Sequence, residues 1–378
     1  MQFRRSLPTL IVLAACGTNP DSPARAPLDP SAQLSPSAAA GQVYTMNNAP
    51  AGNAIMAFDR AADGSLTAAG TYATSGTGTG GGLGNQGALI ISSDGRFLLA
   101  VNPGSNSVTS FAVRGDGTLE RLGTWNSGGM TPVSVTESRG LVYVLNAGGT
   151  GNITGFTFSA GGRLTMIAGS ARPLSSTMAG AAQVQFDNLG RVLIVTEKAT
   201  NKISTYVVGQ GGLATGPTVT ASSGQTPFGF SVSRGVLVVS EAFGGTPDAS
   251  AVSSYEIMAS GGLRLLSASV KDTETAACWI AITADGRFAY TTNTASGTIS
   301  GYSFQQGRLT LLHADGVTAS TGAGPIDLAL SRNSQYIYSL DGAAGGISAF
   351  AVGANGSLSA LAGGVSGLPA GANGLAAR

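Results

Sequence analysis

An all-β ring of seven four-stranded blades, a β-propeller, is the fold the sequence predicts, and three observations predict it. A small residue followed by an aromatic recurs at Ala57-Phe58, Ser110-Phe111, Gly155-Phe156, Thr205-Tyr206, Ser254-Tyr255, Gly301-Tyr302 and Ala349-Phe350, with intervals of 53, 45, 50, 49, 47 and 48 residues between aromatics. A Gly-x-Leu follows every pair, ending at Leu66, Leu119, Leu164, Leu213, Leu263, Leu309 and Leu358. Self-similarity at this period marks a repeat architecture, and four strands per repeat mark a propeller. The composition agrees: 57 glycines and 43% hydrophobic residues against 10% charged ones suit a β-rich chain with many tight turns.

The chain opens with MQFRRSLPTLIVLAAC, in which Arg4 and Arg5 precede a short apolar run from Leu7 to Ala15. A positive segment followed by such a run reads as a secretory signal, too short for a spanning helix. Its end, Leu13-Ala14-Ala15-Cys16, resembles the lipobox of bacterial lipoproteins. That resemblance implies removal of residues 1–15, lipidation of Cys16 and a lipid-anchored protein, with Gly17 after the cysteine favouring the outer membrane. Acyl chains contribute about 0.8 kcal/mol per buried methylene, so several of them anchor firmly. Residues 16–40, rich in Pro, Ala and Ser, read as a flexible tether, and the propeller is expected over 41–378.

One repeat shows the blade. Ala88 to Ile91 is an innermost strand, Ser93-Asp94-Gly95 a tight turn, Phe97 to Val101 a second strand, Val108 to Val113 a third and Leu119 to Trp125 an outer one. The first repeat starts at Gln42-Val43-Tyr44-Thr45, which matches a second strand, so blade one lacks an innermost strand. Gly374-Leu375-Ala376-Ala377 matches that missing strand, and its pairing into blade one closes the ring and removes open edges. The seven aromatics are expected in the packing between blades, and a monomer is expected.

Topology also sorts the faces. The turns between strands one and two, and three and four, share one face. The longer loops and the crossovers share the other, where binding residues are favoured. The ends of the second strands near that face read Asn47, Asn102, Asn146, Glu197, Glu241, Asn293 and Asp341. Two readings are open. In one, these side chains tie down loops as Asx-type turns do. In the other, Glu197 and Glu241 are exposed-loop glutamates at the channel mouth that act as general bases, with Arg172, Lys198, Lys271, Trp279 and Asp341 binding substrate. Ca²⁺ held by the same oxygens is a third possibility; no other cofactor is implied. A net charge of +1 without a basic cluster argues against nucleic acid. With one histidine, His313, and two cysteines, Cys16 and Cys278, His/Cys zinc sites and a Cys-His pair find too few residues. The segment GTGTGGGLG (76–84) has the composition of a phosphate loop but no helix after it, and reads as a flexible crossover.

The repeats resemble the lactonase-family seven-bladed propellers, which include bacterial 6-phosphogluconolactonase and fungal carboxymuconate cyclase. The resemblance covers 41–378 and rests on units such as ISSDGRFLLAVNPGSNSVTSFAV and ITADGRFAYTTNTASGTISGYSF. The fourth blade, AAQVQFDNLGRVLIVTEKATNKISTY, carries Gln183-Val184 and Gly190-Arg191 where the family places a Gln-Val and a Gly, which adds Gln183 to the substrate-binding set. The family usually has a His before that Gln; here Ala182 stands there, and Asn201 occupies a later acid or amide position. The resemblance implies a small lactone or sugar-acid ligand and hydrolysis by a Glu-activated water. The alternative is a propeller that binds a ligand or a protein partner at the envelope without catalysis.

Overall fold

A computed structural model describes residues 39–378. Seven antiparallel sheets form seven blades, and strand order runs outward from the centre in each. Blade two is Leu89–Ile91, Phe97–Asn102, Ser107–Val113 and Leu119–Asn126; blade four is Ala181–Phe186, Val192–Glu197, Lys202–Val208 and Ala214–Ala221. Two single-turn 3-10 segments, Gln210–Gly212 and Phe243–Gly245, are the helical elements among the described residues. The expected closure is present. Asn373–Ala377 pairs antiparallel with Gly41–Met46, with Leu375 opposite Thr45 and Ala376 opposite Tyr44, and so supplies the innermost strand of blade one.

Each blade lies between two others, so both faces of its middle strands are covered. Phe97–Asn102 and Val192–Glu197 are buried at every position, whereas the outer strand Leu119–Asn126 is open to solvent over most of its length. That is why the second strands read as continuous apolar runs instead of alternating. The seven repeated aromatics are all buried. Their hydroxyls, where present, reach the preceding blade: Tyr206 donates to the Pro173 carbonyl at 2.9 Å and Tyr302 to the Val270 carbonyl at 3.2 Å.

The small partner of each aromatic belongs to a second network that points the other way. In blades two, four and five, Ser110, Thr205 and Ser254 donate to the carbonyls of Gly162, Gly261 and Gly307, at 2.6, 2.5 and 2.5 Å. In the other four blades the small residue is Gly or Ala, and the residue opposite it on the second strand is a tyrosine: Tyr44 faces Ala57, Tyr143 faces Gly155, Tyr290 faces Gly301 and Tyr338 faces Ala349. These tyrosines donate to Gly117, Gly212, Gly356 and Gly64, at 2.9, 2.6, 3.0 and 2.9 Å. Every blade thus sends one hydroxyl to the carbonyl of a glycine in the strand three-to-four turn of the next blade. All seven acceptor glycines have positive φ, between 75° and 87°. The small residue is the space the tyrosine ring needs, since a Cβ on Gly155 would lie 2.6 Å from the Tyr143 ring.

Candidate functional site

Of the seven polar residues that end the second strands, all but the half-buried Asn47 are sealed. Glu197, Glu241, Asn102, Asn146 and Asn293 are 0% exposed and Asp341 is 2% exposed, so the expectation of exposed-loop glutamates is corrected. Glu197 accepts from Ser204 Oγ at 2.7 Å, Thr200 Oγ1 at 3.0 Å, the Ser175 amide at 3.0 Å and Ser175 Oγ. Glu241 accepts from Ser253 Oγ at 2.6 Å, Ser269 Oγ at 2.7 Å, the Gly224 amide at 2.7 Å and Ser222 Oγ at 3.4 Å. Asp341 accepts from Ser348 Oγ at 2.5 Å, Ser339 Oγ at 2.7 Å and the Gly322 amide at 3.1 Å, while burial raises its pKa.

The asparagines fill the same slot with reversed polarity. Asn102 Nδ2 donates to Ser107 Oγ and Thr109 Oγ1 at 3.1 and 2.9 Å, and Asn293 Nδ2 donates to Thr298 Oγ1 and Ser300 Oγ at 3.0 and 2.8 Å. Amide or carboxylate, these side chains tie the loop to the third strand, although the Asn146 and Asn293 Oδ1 atoms are themselves left without a partner. The crossover presses close against it: a Cβ on Gly224 would sit 2.2 Å from Glu241 Oε2. Neither glutamate meets water, which a general base requires. No group of three or more His, Cys, Asp or Glu side chains among the described residues could hold a metal ion, and the acidic oxygens considered for Ca²⁺ are taken by these donors.

Arg172 and Lys271 do not join the mouth. Arg172 lies in the outer strand Arg172–Pro173 of blade three, where its guanidinium donates to the carbonyls of Ala214, Gly169 and Ala171 at 2.6, 2.8 and 2.7 Å. Lys271 ends the outer strand of blade five and is exposed. Gln183 braces two innermost strands, its amide donating to the Phe230 carbonyl at 2.9 Å and accepting the Phe230 amide at 2.7 Å.

Lys198 and Trp279 do converge, but on the chain itself. The crossover from blade one to blade two enters the channel mouth. There Lys198 Nζ donates to the Gly84 carbonyl and lies 4.6 Å from the Phe228 ring centre. Trp279 Nε1 donates to the Asn85 carbonyl at 2.7 Å and its ring packs 5.0 Å from Phe228. The Gln86 amide accepts from Ile280 N at 3.1 Å and returns a bond to Ile280 O at 2.8 Å, while the Gln86 backbone donates to the Ala182 carbonyl at 3.2 Å. A Cβ on Gly229 would lie 2.2 Å from Gln86 Oε1, so Gln86 reaches across the channel and fills the space that Gln183 fills one blade earlier. The segment read as a flexible crossover therefore occupies the mouth. Ala182, at the position where a histidine was expected by resemblance, lies beneath it and is 0% exposed. Burial lowers the Lys198 pKa, and it raises the neighbouring Cys278 thiol to about 11, which leaves that thiol inert near neutrality.

Below Gln86 the channel continues as a cavity of about 390 Å³, lined in part by Gln86, Gln183, Asp327 and, near the tight turns, Ser93 and Glu137. A larger cavity of about 650 Å³ adjoins it at Ile91 and Ser93 and reaches between Arg60, Arg332 and Arg378. Asp327 was not among the residues singled out from the sequence. Its Oδ1 accepts the Leu328 amide at 2.8 Å and its Oδ2 the Leu375 amide at 2.9 Å, and burial raises its pKa to about 8. The signal available was an acid inside the apolar strand Pro325–Leu330.

The family model for the lactonase seven-bladed β-propeller matches residues 37–167 and 241–373, more than half of the chain. The chain belongs to the lactonase family. The matched segments of this lactonase-family chain flank 168–240, so Gln183, Glu197 and Lys198 fall outside them. No curated protein matches it in sequence. Among solved structures, a putative 6-phosphogluconolactonase from Bacteroides fragilis is similar at TM-score 0.68 and 19% identity, covering 91% of this chain and 100% of that one. The periplasmic gluconolactonase PpgL of Pseudomonas aeruginosa is similar at TM-score 0.65 and 17% identity, covering 89% and 99%. A hypothetical selenium-binding protein from Sulfolobus tokodaii is similar at TM-score 0.63 and 10% identity, covering 89% and 93%. At these identities the likeness is one of fold.

Proposed function

We propose that this lactonase-family propeller binds a lactone or sugar acid at the bacterial envelope and does not hydrolyse it. One observation carries the reading. Both candidate bases, Glu197 and Glu241, are buried and saturated by structural donors, while a cation, an indole N–H and a backbone amide (Lys198, Trp279 and Ile280) gather at the mouth. Such donors recognise carbonyl and carboxylate oxygens without supplying a base. In the test, gluconate and glucono-lactones are titrated by calorimetry and lactone opening is followed with and without protein. Binding with opening at the spontaneous rate is expected; protein-dependent opening abolished by Glu197→Gln or Glu241→Gln would overturn it.

Hydrolysis by a Glu-activated water is the second reading, favoured by family membership and by the neighbour named as a gluconolactonase. It requires Glu197 or Glu241 to shed its hydroxyl donors when substrate arrives.

Envelope anchoring through Cys16 belongs to the same proposal. The motif lies outside the described residues and rests on Leu13-Ala14-Ala15-Cys16. Cells fed radiolabelled palmitate should label the protein, and Cys16→Ser should remove the label. A label that survives the substitution would refute lipidation at this residue.

A further inference from the structure

Between Gly76 and Gly87, seven of twelve residues are glycine. Thr79 to Gly82 is exposed, and a Cβ placed on Gly81 or Gly82 would meet no atom within 4 Å; Asn48 holds the start of this run, its Nδ2 donating to the Gly81 carbonyl at 2.8 Å and its own carbonyl accepting from the Gly80 amide at 2.8 Å. Gly80, Gly84 and Gly87 have φ of 77°, 57° and 78°, conformations that glycine enters without strain. Beyond this anchor the glycine-rich run carries a tip, Leu83 to Gln86, that is docked in the mouth.

The docking leaves two polar groups unfinished. Asn85 is 1% exposed, and its Oδ1 has no hydrogen-bond partner, although its Nδ2 donates to the Val133 carbonyl. Lys198 is mostly buried and takes part in none of the ion pairs among the described residues, Arg96–Asp94, Arg114–Glu120, Arg264–Glu256 and Arg287–Asp285. A neutral carbonyl is a poor counter-ion for a buried ammonium, and a buried unpaired acceptor is costly.

The geometry has the form of a substitution. The Gly84 and Asn85 carbonyls, consecutive in the chain, accept from Lys198 and Trp279, as the two oxygens of one carboxylate would. The Gln86 amide both donates to and accepts from Ile280, as a hydroxyl can. We propose that Leu83–Gln86 is a self-blocking strap that a small hydroxylated carboxylate displaces from Lys198, Trp279 and Ile280. This deepens the binding reading given above and rests on it.

The probe is gluconate. Because the strap competes with the ligand, Gln86→Ala should tighten gluconate binding by about tenfold or more, and Lys198→Met should remove binding in both backgrounds. Hydrogen exchange on the unaltered protein gives a measurement free of folding effects: saturating gluconate should speed exchange of the amides at 83–87. Binding that is equal in wild type and Gln86→Ala, with unchanged exchange at 83–87, overturns the strap and leaves the binding reading standing. Binding that survives Lys198→Met overturns the assigned contact. Failure of gluconate to bind either folded protein overturns both.

Discussion

Burial lifts the Asp327 carboxyl to about 8 and the Asp272 carboxyl to about 6, so the folded protein holds protons that the unfolded chain, with aspartates near 3.9, has released. The sign follows. The folded state is favoured most below about pH 4, and stability drains away as the pH climbs through 6 and then 8. Thermal melts are therefore expected to show a higher Tm near pH 5 than near pH 8.5. Asp327→Asn should flatten the upper part of that slope. It should cost on the order of 1 kcal/mol near pH 4, where one of the Leu328 and Leu375 amides loses its acceptor, and gain on the order of a few kcal/mol above pH 8, where no charge is left to bury. A variant less stable than the parent at both ends would refute the assignment. At this scale the sequence was legible in position more than in role. The slots of Glu197, Glu241 and Asp341 stood out because other blades keep asparagine there. Their use depends on hydroxyls such as Ser175 and Ser269, 22 and 28 residues away in the chain, which no local pattern pairs with them.

The hydroxyl bonds between blades give a prediction at the scale of the strand pair. Ser110→Ala should cost roughly 1–3 kcal/mol in urea unfolding, because the Gly162 carbonyl loses its donor in a buried place. Leu99 lies directly opposite Ser110, as Tyr143 lies opposite Gly155. The double change Leu99→Tyr with Ser110→Gly is expected to recover much of that loss by converting blade two to the tyrosine arrangement, whereas Leu99→Tyr alone should clash. A double variant no better than the sum of Leu99→Tyr and Ser110→Gly measured singly would remove the case for two interchangeable solutions. The recurrence of a small residue before the aromatic was plain in the sequence. Its reason was not, because it lies in the register between two strands: Ser110 brings its own hydroxyl with Leu99 opposite, whereas Ala57 makes room for the hydroxyl of the facing Tyr44.

For the molecule as a whole, ring closure was the most legible feature, since blade one lacked a strand and the matching strand stood at 373–377. Removal of 366–378 deletes that strand, the Asp327–Leu375 bond and the cover over blade one. It should lower the Tm of the entire domain in one cooperative transition, and unchanged melting would refute closure by this strand. The blocked mouth was legible only as a glycine-rich composition. Nothing in GTGTGGGLG announces that the Asn85-Gln86 that follows it will reach Trp279 and Ile280, 194 residues away.

The directed hydroxyls have one more consequence. Each blade brings a donor for its successor and a glycine carbonyl for its predecessor, so each of the six contiguous repeats holds both halves of its joints as a unit of inheritance. A gene segment encoding one blade could be copied in tandem, and the new copy would arrive with both halves of its joints already written. Growth of such a ring from a single ancestral repeat needs no matching change elsewhere, and later drift is free to exchange a serine for a tyrosine so long as the facing strand yields the room.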